Sequence, residues 1–177
     1  MRRPNRPTFA PDRKQTLAAI RDLLYEYKNL MVAAHFDLQG MPPWRTNCDD
    51  AFLLGCRKFH DFLMNDARQD DDVLAIDYLP PGARRTWDLP IWRKWWQKDI
   101  NKYLTHITYR RTENRDAKGL PHWVHTKRVP QLRDEFNKAW WDFRDAVTDS
   151  EFCAEFDKQL RDHEDQVAVN TVSLRRL

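Results

Sequence analysis

The sequence predicts an all-α fold, an antiparallel four-helix bundle with an extra short C-terminal helix. Apolar residues recur at three- and four-residue steps through four long segments. Glycine occurs only four times in 177 residues, too rarely for the turns of a β-rich fold. Proline-containing and polar connectors separate the periodic segments. The length suits one helical domain, 1–177, with enough chain to bury a real core. Residues 1–11, with three Arg and three Pro, and residues 165–177 read as flexible arms.

The first helix is expected over 12–38. Leu17, Ile20, Leu23, Leu24, Tyr27, Leu30, Met31 and Ala34 form its apolar stripe, and Gly40 with Pro42 and Pro43 stops it. His35, near its C-terminal end, suits the helix dipole.

The second helix is expected from Asn47 to Ala67, capped by Thr46 or Asn47, with Asp49 and Asp50 in its first turn. Phe52, Cys56, Phe59, Phe62 and Leu63 make the buried face. Arg57 shares a helix side with His60 and Asp61, three and four residues on. Arg57 therefore reads either as half of a surface ion pair or as a cation reaching into a shared cleft.

Residues 69–82 place Asp70, Asp71, Asp72 and Asp77 around the apolar run Val73–Ile76. The D-x-[DN]-x-[DN]-G spacing of a calcium loop is absent. The expected structure is a loop whose apolar centre docks on the bundle while its acids cap the next turn. Pro80-Pro81-Gly82 then breaks the chain.

The stretch Trp87–Arg111 is the densest in indoles. Trp92, Trp95, Trp96, Ile100, Tyr103, Leu104 and Ile107 lie on one helical face, Asp88 is placed to cap it, and Pro90 fits its first turn. After a polar connector, a fourth helix over 129–148 carries Leu132, Phe136, Trp140, Phe143 and Val147, flanked by Ala139 and Trp141. A short last helix, 150–164, aligns Phe152, Phe156 and Leu160.

Several function classes lose support at this level. Lys+Arg exceeds Asp+Glu by only three, so charge alone does not mark a nucleic-acid binder. No run of about 18 apolar residues exists, and no membrane partner is expected. The N-terminus lacks the apolar core of a signal peptide, which leaves a cytoplasmic location. Cys48, Cys56 and Cys153 follow no metal-like spacing and read as reduced thiols. His122 and His125 supply two zinc-type ligands without a third, and no Glu-x-x-His pair exists for a dimetal bundle. Neither a metal nor another cofactor is expected.

Three segments carry a resemblance. They are AFLLGCRKFHDFL (51–63), DDVLAIDYL (71–79) and INKYLTHITYRR (100–111), in that order along the middle third of the chain. Together they resemble an uncharacterised bacterial family of HEPN-like helical bundle proteins. In HEPN ribonucleases an Arg, usually followed by a polar residue, precedes a His by four to six intervening positions. Such domains typically dimerise, and the paired motifs line a cleft that cuts RNA without metal. Asn101 and His106 match the polar residue and the His, while the Arg position is Ile100. The family often has a His two residues before the Arg of the second helix; that place is Gly55 here.

The resemblance implies an RNA-associated protein, either a weak metal-independent endoribonuclease or a non-cleaving relative, acting as a homodimer. Attack by a ribose 2′-hydroxyl needs a proton-transfer group active near neutrality and a cation for the phosphorane charge. His106 is the candidate acid/base, Arg57 the candidate catalytic cation, and Asn101 the residue that orients the His. Lys102, Arg110 and Arg111 are candidate phosphate contacts, and Lys102, His106 and Arg110 make one helical ridge. The same ridge also suits a solvated helix face. A non-catalytic helical module for a protein partner is the alternative, and it predicts exposed indoles among Trp92, Trp95, Trp96, Trp140 and Trp141.

Overall fold

A computed structural model of the chain describes residues 11–38, 45–64, 71–95 and 129–161. Among the described residues there is no strand. In order come α1 (Arg13–Leu38), α2 (Arg45–Met64), a 3-10 turn (Ala75–Tyr78), α3 (Pro90–Trp95), α4 (Val129–Ala146) and α5 (150–161).

Helix α1 starts on a reciprocal cap. The Asp12 carboxylate accepts the Gln15 N–H at 2.8 Å, and the Gln15 side-chain oxygen accepts the Asp12 N–H at 2.9 Å. The expected stripe is the buried one, with Ile20, Leu24, Leu30 and Ala34 almost inaccessible. Helix α2 begins at Arg45, so Thr46 and Asn47 fall inside its first turn and not at the expected cap position.

Residue pairs give the helix directions. Glu26 meets Lys58 at 2.7 Å, and Leu30 lies against Gly55, so α1 and α2 run antiparallel. Tyr27 stacks on Trp140 at 4.7 Å, and Arg13 pairs with Asp149, so α1 also runs antiparallel to α4. Phe59 meets Trp140 at 5.7 Å and Phe62 meets Phe143 at 5.1 Å, which makes α2 and α4 parallel.

The core between these helices is aromatic. Phe143 is fully buried and makes near-perpendicular contacts with Phe62, Tyr78 and Trp87, at centroid distances of 5.1, 6.0 and 5.6 Å. Phe156 of α5 closes the cluster against Trp140 and Phe143 at 5.9 and 6.0 Å. The Trp87 indole N–H donates to the Leu63 carbonyl at 3.0 Å, so one side chain both fills the core and satisfies the end of α2.

The acidic loop docks by the middle of its apolar run, while Val73 at the start of that run stays exposed. Leu74, Ala75 and Tyr78 are buried, and the Asp77 carboxylate accepts the Leu74 N–H at 3.0 Å. The Tyr78 hydroxyl donates to the Thr16 carbonyl at 3.1 Å, and burial raises its pKa well above the ordinary phenol range. The chain then turns at Pro80–Ala83, where the Ala83 N–H donates to the Pro80 carbonyl at 3.0 Å and Gly82 takes φ of 82°. Proline before a glycine in this region is the pattern of a type II turn. A side chain at Gly82 would meet nothing within 4 Å, so the cost of Gly82→Ala is backbone strain alone. Thermal unfolding should show a loss of about 1–2 kcal/mol, and an unchanged melting temperature would mean that the turn relaxes.

Asp149 caps α5, accepting the N–H groups of Glu151 at 3.0 Å and Phe152 at 3.1 Å. Arg13 grips Asp149 and Glu151 together, tying the start of α1 to the start of α5.

Candidate functional site

The candidate site that the described residues contain lies on one turn of α2. Arg57, His60 and Asp61 are half-buried there, one helical step from the fully buried Cys56 and Phe59. His60 Nδ1 lies 3.2 Å from an Asp61 carboxylate oxygen, with the two side chains 15% and 20% exposed. When Nδ1 carries the proton it donates to that oxygen, and Nε2 is left as the proton acceptor. The His60 ring faces Trp92 of α3 at 6.4 Å, and Trp92 in turn packs edge-on against Phe136 of α4 at 5.6 Å. The α2 turn is thereby held against the beginning of α3.

Glu135 of α4 fixes that beginning. Its two carboxylate oxygens accept the N–H groups of Ile91 at 2.7 Å and Trp92 at 2.9 Å, two donors that α3 cannot satisfy within itself. The expected capping residue, Asp88, does something else: it accepts the adjacent Leu89 N–H at 2.9 Å and binds Arg93. Pro90 does occupy the first helical position. The sequence gives no sign of this role: Lys138, three residues on, is a ready partner for Glu135 on its own helix, yet in the fold Lys138 binds Asp142 and Glu135 turns to α3.

Burial raises the Glu135 pKa, and the nearby Asp88 charge adds to the rise, against the opposing pull of the two N–H donors and Arg93. A raised acid pKa means that the folded state holds the proton more tightly than the unfolded state. The resulting stabilisation is complete below the unfolded carboxyl value and fades as pH rises through the folded one. Glu135→Gln removes this titration and keeps an oxygen for one N–H. As pH rises from about 4 through the raised Glu135 value, wild type should lose stability relative to Glu135→Gln in matched melting curves. A difference that stays constant across that range would remove Glu135 from the pH response. Cys56 is part of the same environment: burial pushes its thiol up, and the Glu135 charge adds to it, which makes it an inert core thiol.

Of the six site residues expected from the sequence, Arg57 is described, on the α2 turn beside His60. Asn101, Lys102, His106, Arg110 and Arg111 lie outside the described residues, as do His122 and His125. Several cations elsewhere are engaged by local carboxylates. Arg13 is held by Asp149 and Glu151, Arg93 by Asp88, Arg133 by Asp134 and Arg144 by Asp157.

The indoles divide. Trp92 and Trp140 belong to the core, whereas Trp141 is 42% exposed. Trp141 also hydrogen-bonds the Tyr27 hydroxyl, whose pKa burial pushes up to about 12. The side chains of Trp95 and Trp96 lie outside the described residues. Among the described residues, no three His, Cys, Asp or Glu side chains are grouped to hold a metal ion, and no helix is long and apolar enough to cross a membrane.

No family model, no curated protein and no solved structure matches the chain.

Proposed function

We propose that the chain is an HEPN-like, RNA-associated protein with a degenerate metal-independent ribonuclease motif. The observation that carries this reading is the α2 turn. A half-buried arginine and a carboxylate-oriented histidine share it, and the His60 ring packs against Trp92 of α3. Arg57 brings the fixed, always-charged guanidinium that phosphodiester recognition uses, and His60, held by Asp61, adds a second nitrogen donor or acceptor on the same turn.

In this reading Arg57 binds phosphate. His106 is the proton-transfer group, oriented by Asn101, and Lys102, Arg110 and Arg111 track the RNA backbone. Ile100 supplies no charge where HEPN ribonucleases place their arginine, so binding exceeds cleavage. The fold is an antiparallel four-helix bundle with the short α5 added. Parallel α2 and α4, both antiparallel to α1, are consistent with a fourth helix drawn from the Trp-rich stretch. The working form is a homodimer with two copies of the motif in one cleft, and the compartment is the cytoplasm.

Gel-shift titration with single-stranded RNA tests the role of Arg57. Arg57→Ala should weaken RNA binding about tenfold or more, and Arg57→Lys should restore part of it, with helicity unchanged. Unchanged affinity in a folded Arg57→Ala variant would assign that arginine to the surface of α2 only. A non-catalytic module for a protein partner is the second reading, and the exposed Trp141 favours it.

A further inference from the structure

A groove separate from the α2 turn runs along the start of α1. Its first half, of about 360 Å³, lies between α1 and the segment 71–78, and its second, of about 420 Å³, continues toward Pro80, Pro81 and Phe152. Pro11, Thr16, Asp77 and Tyr78 line both halves, so the two form one open strip and not two pits. Its apolar surface comes from prolines, Ala19 and Val73. Tyr78 and Thr16 are already bonded to each other beneath it, so the floor is preformed.

The charge of this strip is opposite to that of the chain. Asp71, Asp72, Asp77 and Asp149 line it against the single cation Arg13, whereas the whole chain carries a formal +3. Arg13 and Asp149 offset each other, so the negative sign of the strip comes from Asp71, Asp72 and Asp77. An open, apolar-floored strip with carboxylates along its rim matches an extended segment that lays proline rings or aliphatic stems on the floor and guanidinium groups on the rim.

We propose that this groove is a docking site for an extended, arginine- and proline-containing segment of another protein. The site is independent of the RNA reading, and neither requires the other. Electrostatic complementarity sets its partner choice, and the groove sets its register.

The test is fluorescence anisotropy with a labelled peptide of alternating Arg and Pro, titrated with the full chain, beside a peptide of alternating Glu and Pro. The Arg peptide should bind and the Glu peptide should not, with affinity falling as NaCl rises from about 50 to about 300 mM. Combined Asp71→Asn and Asp72→Asn should weaken binding about tenfold. Ala19→Trp, which fills the groove without changing charge, should abolish binding, and melting curves should show both variants folded. Binding that survives Ala19→Trp would be diffuse electrostatic attraction and would overturn the proposal. So would binding by neither peptide. Binding that appears only after deletion of residues 1–10 would make the chain's own N-terminal segment the occupant. A self-association abolished by Ala19→Trp would make it a second copy, and either result would overturn an external partner.

Discussion

Phe143→Ala is expected to lower the unfolding free energy by about 3–5 kcal/mol. The ring is fully buried at the meeting point of α2, the 3-10 turn, α4 and α5. Its neighbours are themselves rigid aromatics, so they cannot collapse into the vacated space as aliphatic side chains partly do. A cavity there also removes the edge-to-face contacts to Phe62, Tyr78 and Trp87. A domain of this size is stable by only about 5–15 kcal/mol, so the variant should melt far below wild type. Phe143→Leu should retain more than half of the lost stability. Denaturant midpoints of the three proteins test this, and a loss below about 1 kcal/mol would show that the aromatic cluster is not the centre of the fold.

Gly55→His is the second large effect expected, a loss of about 2–3 kcal/mol. A Cβ at Gly55 would lie 3.0 Å from Leu30 Cδ1, 3.4 Å from Leu30 Cβ and 3.6 Å from Leu30 Cα. The first contact is with a movable methyl group, but the others are with the stem and backbone of α1, so a large side chain must push the helices apart. Replacing glycine inside a helix returns about 0.5 kcal/mol of propensity, too little to offset this. Gly55→Ala should therefore be close to neutral. Leu30→Ala in the Gly55→His background should recover stability, a non-additive result that locates the clash. Equal costs of Gly55→His with and without Leu30→Ala would place it elsewhere. In the HEPN-like reading proposed above, the crossing gives a physical reason why glycine and not histidine stands two positions before Arg57.

The helices were legible because burial follows the 3.6-residue period. Ile20, Leu24 and Leu30 in α1, and Leu132, Phe136, Trp140 and Phe143 in α4, were identified from spacing, and all are buried. The docking of Leu74 and Ala75, with Asp77 as a cap, followed from an apolar run inside acids. Contacts made across the fold were not legible. Glu135 serves a helix that starts 45 residues earlier in the chain, at Pro90, and no local pattern announces that. The Gly55 crossing depends on where α1 comes to rest, which the α2 sequence does not encode alone. Trp140 and Trp141 differ in burial because adjacent helical residues point about 100° apart, and the core edge falls between them. In the site, the shared face of Arg57 and His60 was legible from their three-residue separation, while the packing of His60 against Trp92 was not.

The most direct test incubates the pure protein with labelled single-stranded RNA and transfer RNA in EDTA, beside His106→Ala, and reads binding and cleavage from the same samples. The account predicts that wild type binds RNA and cuts it slowly or not at all. Any cleavage should persist in EDTA, and both binding and cleavage should fall in His106→Ala while its melting temperature holds. Absence of both activities in wild type, or a folded His106→Ala variant that matches wild type in both, would contradict it.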